Sequence, residues 1–146
     1  MKNIVKQRHG TDCGVACLAM ILEEDYEYAE KLVCTILGRK APISFMDNVE
    51  IAMVLKVNRL ESAQVYTILE GVPAIISVPS LMTKKKFHYV YWDGFKIYDP
   101  SNYECYTTED FKKDLPMADS VALTHKITKL LPSHLYSEFD WEFINK

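Results

Sequence analysis

The sequence predicts an α+β domain: three helices over the first third of the chain, then an antiparallel sheet. Two observations carry this. Apolar residues recur at helical spacing up to about residue 55, and from residue 72 onward short β-branched and aromatic runs are bounded by Gly, Pro and Asp. With 146 residues, 49% of them hydrophobic, the chain is long enough to fold as one domain over 1–146 and to bury its core without staples.

Taken in order, residues 11–23 read as a helix that Thr11 or Asp12 can cap, with Val15, Leu18, Ala19 and Leu22 among its apolar and helix-forming residues. Residues 26–37 give a second, amphipathic helix, carrying Ala29, Leu32, Val33 and Ile36 on one face and stopped by Gly38. Ser44 to Asp47 has the spacing of a capping box and opens a third helix that runs to about Leu55. Val72 to Val78 is then a buried strand with Pro73 confined to its start. Phe87–Trp92 and Phe95–Asp99 are two more strands, joined by Asp93-Gly94. A short helix over about 108–113 and a last strand over 121–127 complete the domain.

Charge and composition exclude several functions. A formal net charge of −3 gives no electrostatic reason to expect a nucleic-acid partner or an acidic membrane surface. Lys84-Lys85-Lys86 is a basic cluster just before a strand and reads as a solvated loop or an edge guard. No apolar run approaches the roughly 18 residues of a membrane span, and the first residues lack a signal-peptide core. The expected setting is cytoplasmic, where Cys13, Cys17, Cys34 and Cys105 stay reduced. A zinc site is not expected either, because Cys13-x-x-x-Cys17 has no second pair of ligands, and no cofactor is called for.

Two features found independently point to one kind of chemistry. In Gln7-Arg8-His9-Gly10-Thr11-Asp12-Cys13-Gly14, Cys13 stands at the first turn of a helix, where unpaired N–H groups and the positive end of the dipole favour a thiolate. Gly14 leaves room for a substrate backbone, and Gln7 can offer its amide N–H to an oxyanion. The second feature is the hairpin. A two-residue Asp93-Gly94 turn pairs Trp92 with Phe95, Val90 with Ile97, and His88 with Asp99. That pairing orients the His88 imidazole through one ring nitrogen and frees the other for a thiol, at the end of a mostly apolar face. Each feature has a bland reading, a buried helix cysteine or a strand-end ion pair, and their joint occurrence in one small chain argues against both.

The block Q-x-x-x-x-D-C-G-x-A-C-L-x-M from Gln7 to Met20, followed by Phe87-His88-Tyr89-Val90 and Ile97-Tyr98-Asp99-Pro100, resembles the double-glycine leader peptidases, family C39 of bacterial cysteine peptidases. The resemblance covers about residues 1–127. It implies a papain-like fold, with Cys13 as nucleophile, His88 as general base, Asp99 as its orienter and Gln7 as oxyanion donor. It also implies a peptide substrate cut after a double-glycine leader. Members are usually fused to ABC exporters. No transporter follows here, so coupling to export needs a separate exporter as partner. Cys17 falls at a position in the block that reads as helix packing. Residues 128–146 lie beyond the resemblance, and their aromatic residues Tyr136, Phe139, Trp141 and Phe143 read as cover for the core or a groove. His9, His125 and His134 are expected to be solvated or to pack. Two other functions remain open on the same residues: deamidation or acyl transfer at a glutamine side chain, and peptide binding without cleavage.

Overall fold

A computed structural model describes residues 4–65, 70–79, 87–101, 104–107 and 123–130. Three helices, α1 (Cys13–Leu22), α2 (Tyr26–Leu37) and α3 (Asn48–Val57), precede six strands. These are β1 (Leu60–Val65), β2 (Ala74–Pro79), β3 (Phe87–Trp92), β4 (Ile97–Asp99), β5 (Glu104–Tyr106) and β6 (Leu123–Leu130), in one antiparallel sheet of order β1-β6-β2-β3-β4-β5. The predicted α+β class is therefore observed. The helix expected over 108–113 and the aromatic segment beyond residue 130 lie outside the described residues.

Local chemistry sets the helix ends. The Asp25 side chain accepts from the Tyr28 N–H and opens α2, and Gly38, at φ 65°, closes it. The third helix starts later than the Ser44-x-x-Asp47 spacing predicts. Its capping box is Asp47 with Glu50, each side chain accepting from the other's N–H at 2.8 and 3.1 Å. The earlier start is blocked because the Ser44 carbonyl is taken by Arg39 and Phe45 has a left-handed backbone (φ 54°), its N–H donating to the Thr11 carbonyl.

The sheet alternates as a two-faced layer should. Ile75, Tyr89 and Tyr91 turn toward the helices and close a core with Leu18, Ile51 and Leu55. Ala74, Ile76, Val90, Trp92 and Ile97 form a second cluster, which is the apolar face expected of the hairpin, without Phe95, which is exposed.

The hairpin register differs from the two-residue turn. Trp92 pairs with Ile97 and Tyr91 with Tyr98, so the loop has four residues, Asp93 to Lys96. Asp93 causes the change. Its Oδ1 accepts from the N–H groups of both Phe95 and Lys96, each at 2.8 Å, and its own N–H donates to the Lys96 carbonyl. His88 and Asp99 are consequently offset along the ribbon instead of directly opposite.

Gly14 has a packing role where the sequence suggested room for substrate. It is buried, and a Cβ there would stand 3.1 Å from Met46 Cβ and 3.3 Å from Ile51 Cδ1. Gly14→Ala is expected to destabilise the fold by about 1–3 kcal/mol through overpacking, read as a lower denaturation midpoint with an unchanged slope. An unchanged midpoint would mean that the Met46 segment yields freely.

Candidate active site

Cys13 is the first residue of α1, and His88 is the second of β3. Helix α1 packs against β3, and the two elements meet at these ends. The Tyr89 N–H donates to Cys13 Sγ over 3.4 Å, tying strand to helix beside the sulfur. Cys13 acts on the His88 imidazole through hydrogen bonding and charge, both of which raise its pKa. Its Nε2 lies 2.7 Å from Asp99 Oδ1, which leaves Nδ1 as the ring nitrogen for the sulfur. The four-residue loop does not separate His88 from Asp99, because a slip of two residues keeps both on the same face of the pleat.

The pair is poorly solvated, with side-chain exposures of 18% for His88 and 14% for Asp99. Burial works to lower the His88 pKa. Hydrogen bonds to Asp99 and to Cys13, with the charges of both, outweigh it and raise the value from 6.5 to about 9. Burial works to raise the Asp99 carboxyl, but the His88 bond and the nearby Ser101 hold it below the usual carboxylate value. Asp99 Oδ1 accepts from the Ser101 N–H at 2.9 Å and from Ser101 Oγ at 2.7 Å. Ser101 was not singled out in the sequence. The signal was present in Asp99-Pro100-Ser101, an acidic residue followed two positions on by a donor, which is the spacing of an Asx turn.

Gln7 is held close to this group from two sides. Its N–H donates to the Pro100 carbonyl at 3.0 Å, next to Asp99. Its Nε2 donates to the His9 carbonyl at 2.7 Å, and its Oε1 is buried without a hydrogen-bond partner. One of the two amide N–H bonds is engaged by His9, and the second is available to an incoming oxygen. At the start of α1 the Asp12 side chain makes no cap, and the N–H groups of Val15 and Ala16 donate to the Asp12 carbonyl at 3.1 and 3.3 Å.

Asp12, read from sequence as a possible cap, has a different role. It is 1% exposed and accepts from the N–H groups of Arg8 and His9 and from the Tyr26 hydroxyl. Cys17 is fully buried one turn below Cys13, and burial pushes its thiol well up, so it packs as a small apolar residue. Cys34 is half-buried against the same core.

A helix-borne cysteine facing a strand-borne His–Asp pair, with helices packed on an antiparallel sheet, defines the papain-like fold class. The chain belongs to the peptidase C39 family, whose family description matches residues 1–114. Comparison with curated proteins and with solved structures gave no match. Among the described residues, no helix is long and apolar enough to cross a membrane.

Proposed function

We propose that this protein is a cysteine peptidase that hydrolyses a peptide bond with Cys13, His88 and Asp99, on substrates carrying a double-glycine-type leader. The observation that carries the reading is the His88 Nε2 to Asp99 Oδ1 contact of 2.7 Å beside Cys13, whose Sγ accepts from the N–H of the next residue, Tyr89, at 3.4 Å. At neutral pH a histidine raised to about 9 is an imidazolium. As an imidazolium it gives a proton to the leaving amine, and the Cys13 proton replaces it on the ring as the sulfur attacks. Cys13 Sγ attacks the scissile carbonyl and forms a thioester as the C–N bond breaks. Water then hydrolyses the thioester, with His88 acting as base. Gln7 and the first N–H groups of α1 stabilise the oxyanion in both steps.

The setting of this reaction is the cytoplasm, where the thiols stay reduced. The peptidase unit is one domain over 1–146, with 128–146 as an extension of it.

Mass spectrometry of a double-glycine leader precursor, incubated with the protein or with Cys13→Ala, tests the proposal. Two fragments with wild type and an intact chain with the variant support it. One chain of slightly raised mass would replace cleavage by deamidation, and a precursor bound unchanged would replace it by peptide recognition. Gln7→Ala is expected to lower kcat by on the order of a hundredfold or more while the protein stays folded. A near-normal rate would remove Gln7 from the mechanism.

A further inference from the structure

Asp12 stands at the N-cap position of α1, yet its carboxylate turns away from the helix. Its Oδ1 accepts from the His9 N–H at 2.9 Å, and its Oδ2 accepts from the Arg8 N–H at 3.0 Å and from the Tyr26 hydroxyl of α2. An aspartate at this position ordinarily satisfies a first-turn N–H of its own helix, and here that interaction is absent. The diversion has two consequences. The N–H groups at the start of α1 carry no side-chain cap beside Cys13. The turn that follows Gln7 is fixed, by two backbone bonds, to the residue next to Cys13.

Further contacts hold the same turn. The Arg8 guanidinium lies 4.3 Å from the centroid of the Tyr26 ring and pairs with Glu27. Burial, and then the bond to Asp12, push the Tyr26 hydroxyl up, so it remains a donor at any pH where the protein works. The His9 carbonyl, in the clamped turn, accepts from Gln7 Nε2. A continuous chain of bonds therefore runs from the carboxylate of Asp12 to the side-chain amide of Gln7.

We propose that Asp12 is the positioning residue of the oxyanion hole: it sets the distance between the Gln7 amide and Cys13, and, while its carbonyl takes the Val15 and Ala16 N–H groups, its side chain leaves those of Cys13 and Gly14 to the substrate oxygen. The proposal rests on the peptidase reading above. Asp12 touches neither the substrate nor the sulfur in this role and acts through Gln7.

The test uses the full chain with Asp12→Ala and Asp12→Asn, each alone and combined with Gln7→Ala. Three quantities are measured: the single-turnover acylation rate on a double-glycine peptide, the rate of Cys13 alkylation by iodoacetamide, and hydrogen exchange at the Arg8 and His9 amides. Asp12→Ala is expected to lose on the order of a hundredfold in acylation, with Cys13 alkylation unchanged. Asp12→Asn keeps one acceptor oxygen and should recover part of the rate. In the Gln7→Ala background neither change should cost more, because the donor they position is gone. Losses that multiply in the double variants, wild-type acylation in Asp12→Ala, or alkylation that falls in step with acylation would each overturn the proposal. If Asp12→Ala does not fold, the isosteric Asn variant decides by the same criteria. A wild-type protein that neither cleaves nor alkylates at Cys13 would instead sink the peptidase reading. The clamp would then be judged on exchange: protection of the Arg8 and His9 amides lost in Asp12→Asn supports it, and equal exchange rates refute it.

Discussion

His88→Ala is expected to lower peptide turnover by about 10⁴-fold or more, the scale on which members of a catalytic triad act as a unit. Two losses coincide in this variant. The thiol has no partner to take its proton, and the leaving amine has no acid to receive one from. The residual rate would come from binding and from the oxyanion donors, which the substitution leaves in place. Turnover by itself does not distinguish a lost acid–base group from a disturbed fold, so thiol chemistry is the second readout. At pH values below the ordinary thiol range of about 8.5, Cys13 in the wild type is expected to react with iodoacetamide ahead of Cys17, which is fully buried. In His88→Ala that advantage should disappear, with the melting transition still cooperative. If the wild-type Cys13 reacts no faster than an ordinary thiol, no imidazole is activating it. Peptide recognition without cleavage then becomes the better account of the same residues.

How the site assembles shows which parts of it local sequence can encode. The first two helices follow from short-range rules, because Asp25 and Gly38 act within a turn of where they stand. The start of α3 does not. Ser44 and Asp47 both offer the capping spacing, and the choice falls to Arg39 and Thr11, which engage residues 44 and 45 from outside the segment. Strands β1 and β5 were not legible. Glu61-Ser62-Ala63-Gln64 carries no β-branched residue, and its pairing partner, β6, lies far along the chain, across β2 to β5 in sequence. Glu104-Cys105-Tyr106 is three residues long and, among the described residues, pairs with β4 alone.

The His–Asp pair survived an incorrect turn for a reason that pleating supplies. Reading Asp93-Gly94 as a two-residue loop puts the register off by two, and side chains in a strand repeat every two residues. The face shared by His88, Val90, Trp92, Ile97 and Asp99 is therefore the same in either register. A slip of one residue would have placed Asp99 on the opposite face from His88. Asp12 shows the converse. Its partners on the far side, Tyr26 and the Arg8–Glu27 pair, become neighbours only when α1 and α2 pack together. From sequence it could only be read as a helix cap.

Asp99→Asn separates the orienting carboxylate from the charge it supplies, and it is expected to lower turnover by about 10²–10⁴-fold. The amide oxygen can still accept from Ser101 or from the ring, so the imidazole is not expelled, but the negative charge is gone. The pH dependence makes this test specific. His88 is raised from 6.5 to about 9, and the Asp99 bond is foremost among the contributions that overcome the lowering by burial. A raised histidine stabilises the fold fully below pH 6.5, and that contribution is lost as the pH climbs through about 9. Asp99, held below its ordinary value, stays ionised throughout this window. Wild-type kcat/KM should therefore keep its plateau well above neutral pH and fall near 9, where the imidazolium loses its proton. In Asp99→Asn the alkaline limb should move down toward the ordinary histidine range, and the decline in melting temperature between pH 6.5 and 9 should shrink with it. Removing Cys13 is not equivalent, since Cys13→Ala leaves the Asp99 bond and with it the larger of the two raising contacts. An alkaline limb that stays near pH 9 in Asp99→Asn would mean that the sulfur, and not the carboxylate, holds the proton on His88.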